Sequence, residues 1–497
     1  MNQTRRTFLQ MSLLSTAAAS LPARLYSQVP GANGDIRIGI VGFKGRGGDH
    51  IANYLKIKGV RIVALCDVDT GVLEKGVSQL KNKGQEAAPY TDIRKMLENP
   101  DIDAVSIATP NHWHSLGAIW ACQAGKDVYV EKPVSHNVWE GRQLVKAADV
   151  HKRIVQMGVQ SRSGYGLAQA LTWVKAGNLG KLVYARGLCY KRRGSIGKVD
   201  GPQPIPEGID YDLWCGPAPK KPLTRKNLHY DWHWVWDTGN GDLGNQGIHQ
   251  MDIARRFLEE DALSPRVFAV GGRVGYVDDA ETPNSMIVVH DYEKAPLIFE
   301  VRGLPEKTDS KEMPKYRGAS VGVVVQYENG YILCPNYNDA IAFDNEGKEI
   351  RKFARPTKPG ATGGGEPQAP EPDSENHYAN FIKAMRSRKV SELNGKIIDG
   401  HISSALCHTG NISYLLGKKL APGALQEKIQ GNKEASESFG RLAEHLAANG
   451  VDIAMDQLAL GEFLKMDPST ERFIGNPAAD KLLTREYRAP FVVPENV

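Results

Sequence analysis

Gly42, Lys44 and Gly47, within the stretch GIVGFKGRGGDH from Gly39 to His50, have the spacing of a loop that lets backbone N–H groups approach a phosphate. The run follows a strand-like pattern and opens a helical one, the context that gives a glycine fingerprint meaning. Gly42, Phe43, Lys44, Gly45, Arg46 and Gly47 would then hold the pyrophosphate of a dinucleotide. Lys44 stands where such loops usually place a central glycine, and with Arg46 it would bring positive charge toward the pyrophosphate. Asp67, in VALCDVD, would accept hydrogen bonds from the adenosine ribose hydroxyls and repel a 2′-phosphate. No arginine follows directly, which favours NAD over NADP. The alternative is that Asp67 only starts a turn.

Two further motifs fall at the carboxyl ends of later strands, where open α/β sheets bind ligands: ATPNHWHS and EKPVS. Here the chain resembles the Gfo/Idh/MocA oxidoreductase family, in which Thr-Pro-Asn-x-x-His and Glu-Lys-Pro flank the nicotinamide. The matches are Thr109, Pro110, Asn111 and His114, then Glu131, Lys132 and Pro133, and the resemblance runs roughly from Asp35 to Gly417. It implies that Lys132 is catalytic, its ammonium orienting a carbinol and stabilising developing alkoxide charge. Without the resemblance, Lys132 reads as a solvated lysine. The Lys132-Pro133 bond is a candidate for the cis form.

The second signature is WDTGNGDLGNQGIHQMDIARRFL. The family commonly shows Asp-x-Gly-x-His-x-x-Asp there, which places His249 on the position of its general acid/base and Asn245 where an Asp is usual. A helix beginning near Gly244 would put Asn245 and His249 on one face. A carboxylate about 4 Å from an imidazolium is worth on the order of 4 kcal/mol at an effective dielectric near 20. The Asn245 amide can orient the ring but supplies no such charge, so His249 should stay neutral at pH 7. A helix-capping Asn and a merely packed His is the competing reading.

Just upstream, HYDWHWVWD concentrates His229, Asp231, His233 and Asp237 among three tryptophans. The spacing matches no closed metal site, so no metal is expected. Aromatic rings with polar neighbours suit the faces and hydroxyls of a sugar, making His233 and Trp236 candidate substrate contacts, although a plain aromatic core is the stronger alternative. Arg162 and Tyr190 are weaker candidates for the substrate wall.

The elements that must position these groups follow from periodicity. IRIGIVG, GVRIVALCD, DAVSIATP and KDVYVEKP alternate with helical segments, implying a parallel, doubly wound Rossmann sheet over residues 35–160. From residue 161 to 430 longer alternating runs predict a second, α+β domain built on a large, mainly antiparallel open sheet, interrupted by a Gly- and Pro-rich loop at 357–374. Residues 431–497 form a C-terminal extension. At 497 residues, 41% hydrophobic and 24% charged, the chain is that of an ordinary globular protein. Of its formal charge of +5, Arg5, Arg6 and Arg24 carry +3, and the remainder is too little to argue for nucleic acid. Residues 1–34 open with Thr-Arg-Arg-x-Phe-Leu and a short apolar run, the pattern of a twin-arginine export signal, which predicts a periplasmic protein without a membrane span. The six cysteines form no Cys-x-x-Cys pair.

Together these readings predict an exported NAD-dependent dehydrogenase of a sugar or glycoside. Outside the cytoplasm there is no soluble NAD pool to draw on, so the cofactor should be tightly held. Two alternatives stand beside it: a redox-neutral glycosidase, lyase or epimerase working through a transient ketosugar, and a sugar-binding relative without catalysis. A homo-oligomer through the open sheet face is implied by the resemblance alone.

Overall fold

The computed structural model describes residues 34–355, 376–455 and 457–497. The expected export signal and nearly all of its linker, and the Gly/Pro-rich loop, lie outside the described residues. Six parallel strands, β1 (Ile36–Val41), β2 (Val60–Cys66), β3 (Ala88–Tyr90), β4 (Ala104–Ile107), β5 (Asp127–Glu131) and β6 (Val155–Gly158), are ordered β3-β2-β1-β4-β5-β6. β1 lies between β2 and β4, so the strand order reverses there and a crevice opens beyond the carboxyl ends. Every residue of β4, β5 and β6 is buried, as expected for parallel strands covered on both faces.

One of those covers comes from far along the chain. Tyr378, Phe381, Ile382 and Met385 of the His377–Ser387 helix pack against Ile38, Ile40, Tyr54 and Tyr129. The sequence reading assigns this helix to the second domain; the structure places it on the first, because a doubly wound sheet needs apolar partners on both faces whatever their position in the chain.

The second sheet contains β7 (Leu182–Tyr190), β8 (Arg266–Gly272), β9 (Ser285–His290), β10 (Leu297–Arg302), β11 (Val321–Tyr327), β12 (Gly330–Cys334), β13 (Ala340–Phe343), β14 (Glu349–Phe353) and the short β15 (Lys418–Lys419) and β16 (Ala459–Leu460). Their order is β14-β13-β12-β11-β7-β10-β9-β8-β16-β15, antiparallel except for β7 against β10. The helices Ile248–Leu258 and Ile397–Leu415 cover one face. On the other face, expected to be open, Phe439, Leu442 and Leu446 of the C-terminal extension, with Leu425 just before it, pack on Phe268, Val270, Ile287 and Val289. An amphipathic helix supplied by the chain itself satisfies strands that are apolar on both sides.

Beneath that helix the buried Arg186 pairs with Glu300, which also accepts from Arg441 Nη2 at 2.5 Å, Tyr190 Oη at 2.5 Å and Ser438 Oγ at 3.1 Å. Arg186 and Arg441 outweigh burial and hold the Glu300 carboxyl at about 2. Because the folded value is depressed, its contribution is complete above the unfolded value of about 4.3 and is lost as pH falls toward 2. Glu300→Ala takes the buried carboxylate from Arg186 and Arg441 and leaves them to share the half-exposed Glu437. Urea unfolding at pH 7 should show a loss of about 3–5 kcal/mol, narrowing as the pH is lowered through that window.

Candidate active site

The glycine loop closes on the β4 loop because its backbone adopts conformations that side chains disfavour. Gly42 has φ of +72°, and a Cβ there would lie 2.9 Å from Thr109 N and Cα. A Cβ on Gly47 would lie 2.1 Å from Gly42 O, whereas one on Gly45 meets nothing within 4 Å. The Arg46–Tyr54 helix has no side-chain cap, leaving its first N–H groups available to an anion. Asp67 accepts from Phe43 N and Asp69 N, each at 3.1 Å, and burial raises its pKa. These groups rim a cavity of about 520 Å³ that extends past Thr109, Pro110, Asn111, His114 and Glu131 to Lys132 and Asn245.

The two loop cations are engaged differently from the expectation that they face the pyrophosphate. Lys44 Nζ lies 3.4 Å from Asp69 Oδ2, and Arg46 donates to Glu131 at 3.1 Å and Asp49 at 3.0 Å. Carboxylates within the protein already neutralise both, although each still lines the cavity.

Glu131 is the hub. Its Oε1 receives Arg46 Nε and His50 Nε2, both at 3.1 Å, and Gln160 Nε2 at 3.2 Å, while Oε2 accepts from Lys132 N at 3.2 Å. His50 and Arg46 overcome burial and hold its carboxyl well below the usual range. His50 and Gln160 escaped the sequence reading, since a helical His and a loop Gln carry no local signal. His114 bridges Thr109 O at 2.7 Å and Pro133 O at 2.6 Å, bracing the two loops, and the Lys132-Pro133 bond is cis. Asn111 donates to Asn240 Oδ1 at 3.0 Å, so it ties the two domains together.

Lys132 Nζ donates to Asn245 O at 2.5 Å. An ammonium has three donors, and the others face the cavity that Lys132 lines. Burial, with Arg46, Lys191 and Arg193 nearby, lowers its pKa. The Asn245 carbonyl is available because Leu243–Gly247 forms a π-helical turn before the Ile248–Leu258 helix begins. Asn245 therefore meets Lys132 through its backbone, and the expected side-chain brace on the imidazole is absent: His249 Nδ1 is buried without a partner. His249 lies against Tyr337, ring centroids 4.5 Å apart, and is not among the residues lining the cavity. Burial and Lys132 bring its pKa to about 3, so the ring is neutral at pH 7.

The substrate candidates divide. His233 lines the cavity, stacked on Trp232 at 3.5 Å. Arg162 instead forms a buried pair with Asp252 at 2.8 Å and with Asp399 at 2.9 Å. Tyr190 turns its hydroxyl to Glu300, and Trp236 sits against Tyr414 away from the cavity. His229, Asp231 and Asp237 bond separately to Asp69, Asn227 and Lys221. Among the described residues no three His, Cys, Asp or Glu side chains converge, and all six cysteines are free and buried.

A roof that local sequence patterns do not disclose partly covers the crevice. Leu213, Trp214, His229, Tyr230 and Trp232 cover it. They are pinned by Thr70 N to Gly208 O at 3.0 Å and His229 Nε2 to Asp69 Oδ2 at 3.1 Å. From the C-terminal arm Arg488 bonds Asp212 Oδ1 at 2.8 Å, Arg485 bonds Asp237 O at 2.7 Å, and Phe491 packs on Trp113. The arm thus packs on the body of its own chain.

Residues 36–159 match the family described as an oxidoreductase family with an NAD-binding Rossmann fold, and residues 182–301 match its C-terminal alpha/beta domain. The two matched segments are Gfo/Idh/MocA oxidoreductase domains. A Gfo/Idh/MocA Rossmann domain with Gly45 open, Asp67 at the rim and Thr109 Oγ1 buried without a partner fits NAD. Glycosyl hydrolase family 109 protein 2 of Shewanella sp. (strain ANA-3) is 31% identical over 219 residues, 39% of this chain and 48% of that protein. An alpha-N-acetylgalactosaminidase of Shewanella oneidensis is 30% identical over 154 residues, 30% of this chain and 34% of that protein. The chain spans about half the length or less of these curated relatives. The fold is shared with the WlbA dehydrogenase of Bordetella pertussis, solved with NADH and UDP-GlcNAcA, at a TM-score of 0.53 and 19% identity over 75% of this chain and 94% of that one. It is shared also with levoglucosan dehydrogenase, solved with NADH and levoglucosan, at 0.54 and 17% over 75% and 95%.

Proposed function

We propose that this chain is an NAD-dependent enzyme that oxidises a carbinol of a carbohydrate, with the cofactor retained under the roof. The observation that carries this reading is the single cavity running from the glycine loop to Lys132 beneath Trp214 and Trp232. NAD, when bound, supplies the acceptor for the hydride. Gly42 to Gly47, Asp67 and Thr109 would hold it. Lys132 orients the carbinol oxygen and stabilises its developing charge, and neutral His249, behind Asn245, takes the proton. The aromatic roof excludes water. Export directed by residues 1–34 and assembly as a homo-oligomer belong to the same proposal; export is read by locating the protein in cell fractions, assembly by sedimentation.

A second reading has specific support in the relatives named as glycosidases. In it the oxidised carbon acidifies the neighbouring C–H, the proton and the aglycone leave, water adds across the resulting double bond, and the same sugar then takes its hydride back. Denatured protein should release NAD near one equivalent per chain; protein purified free of NAD that binds it only transiently would overturn retention. With a panel of p-nitrophenyl glycosides, net absorbance at 340 nm identifies the dehydrogenase, and p-nitrophenol released without it identifies the redox-neutral cycle.

The pH profile is a further check. With His249 near 3, its protonation should impose no loss of turnover between pH 5 and 8. The alkaline limb should instead fall below the usual lysine range, because the lowered pKa of Lys132 makes the ammonium lose its proton earlier. An acid limb near 6.5 would contradict the depressed pKa of His249 while leaving a histidine base in place.

A further inference from the structure

Immediately after β7 the chain reads Lys191, Arg192, Arg193, and the structure fixes these cations beside the site. Lys191 N donates to Arg302 O at 3.0 Å and Arg193 N to Gly303 O at 2.9 Å, prolonging the pairing with β10. Tyr276 Oη bonds Arg193 O at 3.0 Å, and Asp278 accepts from Ile196 N at 2.8 Å. The three side chains differ in what balances them. Arg193 is paired with Asp242 at 2.6 Å and lies over the Trp234 ring at 5.0 Å. Lys191 reaches only the amide of Gln246, at 3.3 Å, and among the described residues neither it, nor Arg192, nor Lys226 pairs with a carboxylate.

These uncompensated cations line two cavities that adjoin the proposed active site. One, of about 520 Å³, is bounded by Arg192, Arg193, Lys226, Asn227 and Tyr230; the other, of about 460 Å³, by Lys191, Arg192, Gln246 and Tyr337. Arg192 is common to both. Tyr230 is common to the first and to the cofactor cavity, and it is held exposed at a φ of +64°, which a bulky side chain rarely adopts. Tyr337 of the second cavity is the residue whose ring lies against His249. The one carboxylate lining either cavity, Asp231, is buried and accepts from Asn227 Nδ2 at 2.9 Å. A cleft lined by one sign of charge concentrates ligands of the other, and guanidinium donates paired hydrogen bonds to two oxygens of a carboxylate or a sulfate.

We propose that these adjoining cavities form a subsite for an anionic group, a carboxylate or a sulfate ester, carried by the carbohydrate whose carbinol reaches Lys132. The inference rests on the carbohydrate reading and narrows it to acidic sugars or glycans. Tyr230 offers a ring face to the sugar between the two ends, and Arg192, Lys226 and Lys191 neutralise the charge.

The test is calorimetric titration of the full-length, NAD-loaded protein with matched pairs: glucuronate and glucose, galacturonate and galactose, glucose 6-sulfate and glucose, with inorganic sulfate as competitor. In at least one pair the acidic member should bind about 10-fold more tightly or better, as expected for a charge-assisted hydrogen bond. That advantage should shrink as salt rises and fall to within about 2-fold in the Arg192→Gln, Lys226→Gln double variant, but not in Lys428→Gln on the Pro422–Ile429 helix, which lines neither cavity. Competition by inorganic sulfate would show that the anion alone is recognised, and its absence that the sugar must present it. Acidic and neutral members binding equally in every pair, or an advantage that survives the double variant, overturns the subsite while leaving hydride transfer standing. Preferential binding of an acidic sugar with neither NADH formation nor bond cleavage supports the subsite and counts against the catalytic reading. Failure of every sugar to bind overturns both.

Discussion

Lys132→Ala is expected to lower turnover by about 10²–10³-fold, the range for removing one donor aimed at a developing oxyanion. The ammonium is partly buried, anchored by one N–H to Asn245 O at 2.5 Å, and lines the same cavity as the glycine loop. Alanine removes the only cation that projects there from the Glu-Lys-Pro motif and leaves the Asn245 carbonyl without its donor, a loss of about 1–3 kcal/mol in stability. The cofactor loop is built without Lys132, so NAD released on denaturation should stay near the wild-type amount. The paired measurements are turnover and bound NAD: full activity in the variant removes Lys132 from the chemistry, and loss of NAD in parallel with turnover makes it a cofactor ligand instead.

Glu131→Ala should be the more damaging change to the fold of the site. Arg46, His50, Gln160 and the Lys132 N–H all point at one buried carboxylate. Removing it leaves the buried His50 without its partner and the half-exposed Arg46 with Asp49 alone, and about 1–3 kcal/mol is expected at pH 7 for each buried donor left unsatisfied. Since the Glu131 carboxyl is held below its usual range, its stabilisation is present above the unfolded value of about 4.3 and declines at lower pH. Wild type and variant should therefore converge in urea midpoint as the pH is lowered. Glu131→Gln keeps the geometry but not the charge, and should recover turnover better than alanine if Glu131 acts by positioning Lys132. Equal turnover in both variants and wild type would show that Lys132 needs no such support.

How much of this could be read along the chain depends on the range of the interaction. Gly42, Gly47, Asp67, Thr109 and Lys132 were legible because a βα turn that binds a dinucleotide demands particular residues within one short segment. Asn245 was legible as a position but not as a role, because whether its amide or its carbonyl faces the site depends on a π-helical turn packed against Phe299 and Asn240. Arg162 misled for a related reason: a polar residue near a motif looks available until the structure supplies Asp252 as its buried partner; Tyr190 gives its hydroxyl to Glu300 but still lines the cavity that holds Lys191 and Arg192.

The sequence by itself determined the two-domain α/β architecture, the cofactor loop and the lysine at the strand end, all set by periodicity and local backbone demands. Only the tertiary structure decided the Glu131 network, the roof over the crevice, the helix of the C-terminal extension that covers the second sheet, and the cationic cavities behind Tyr230. Those arise where side chains tens to hundreds of residues apart meet, and burial and charge compensation among such groups leave no period in the chain.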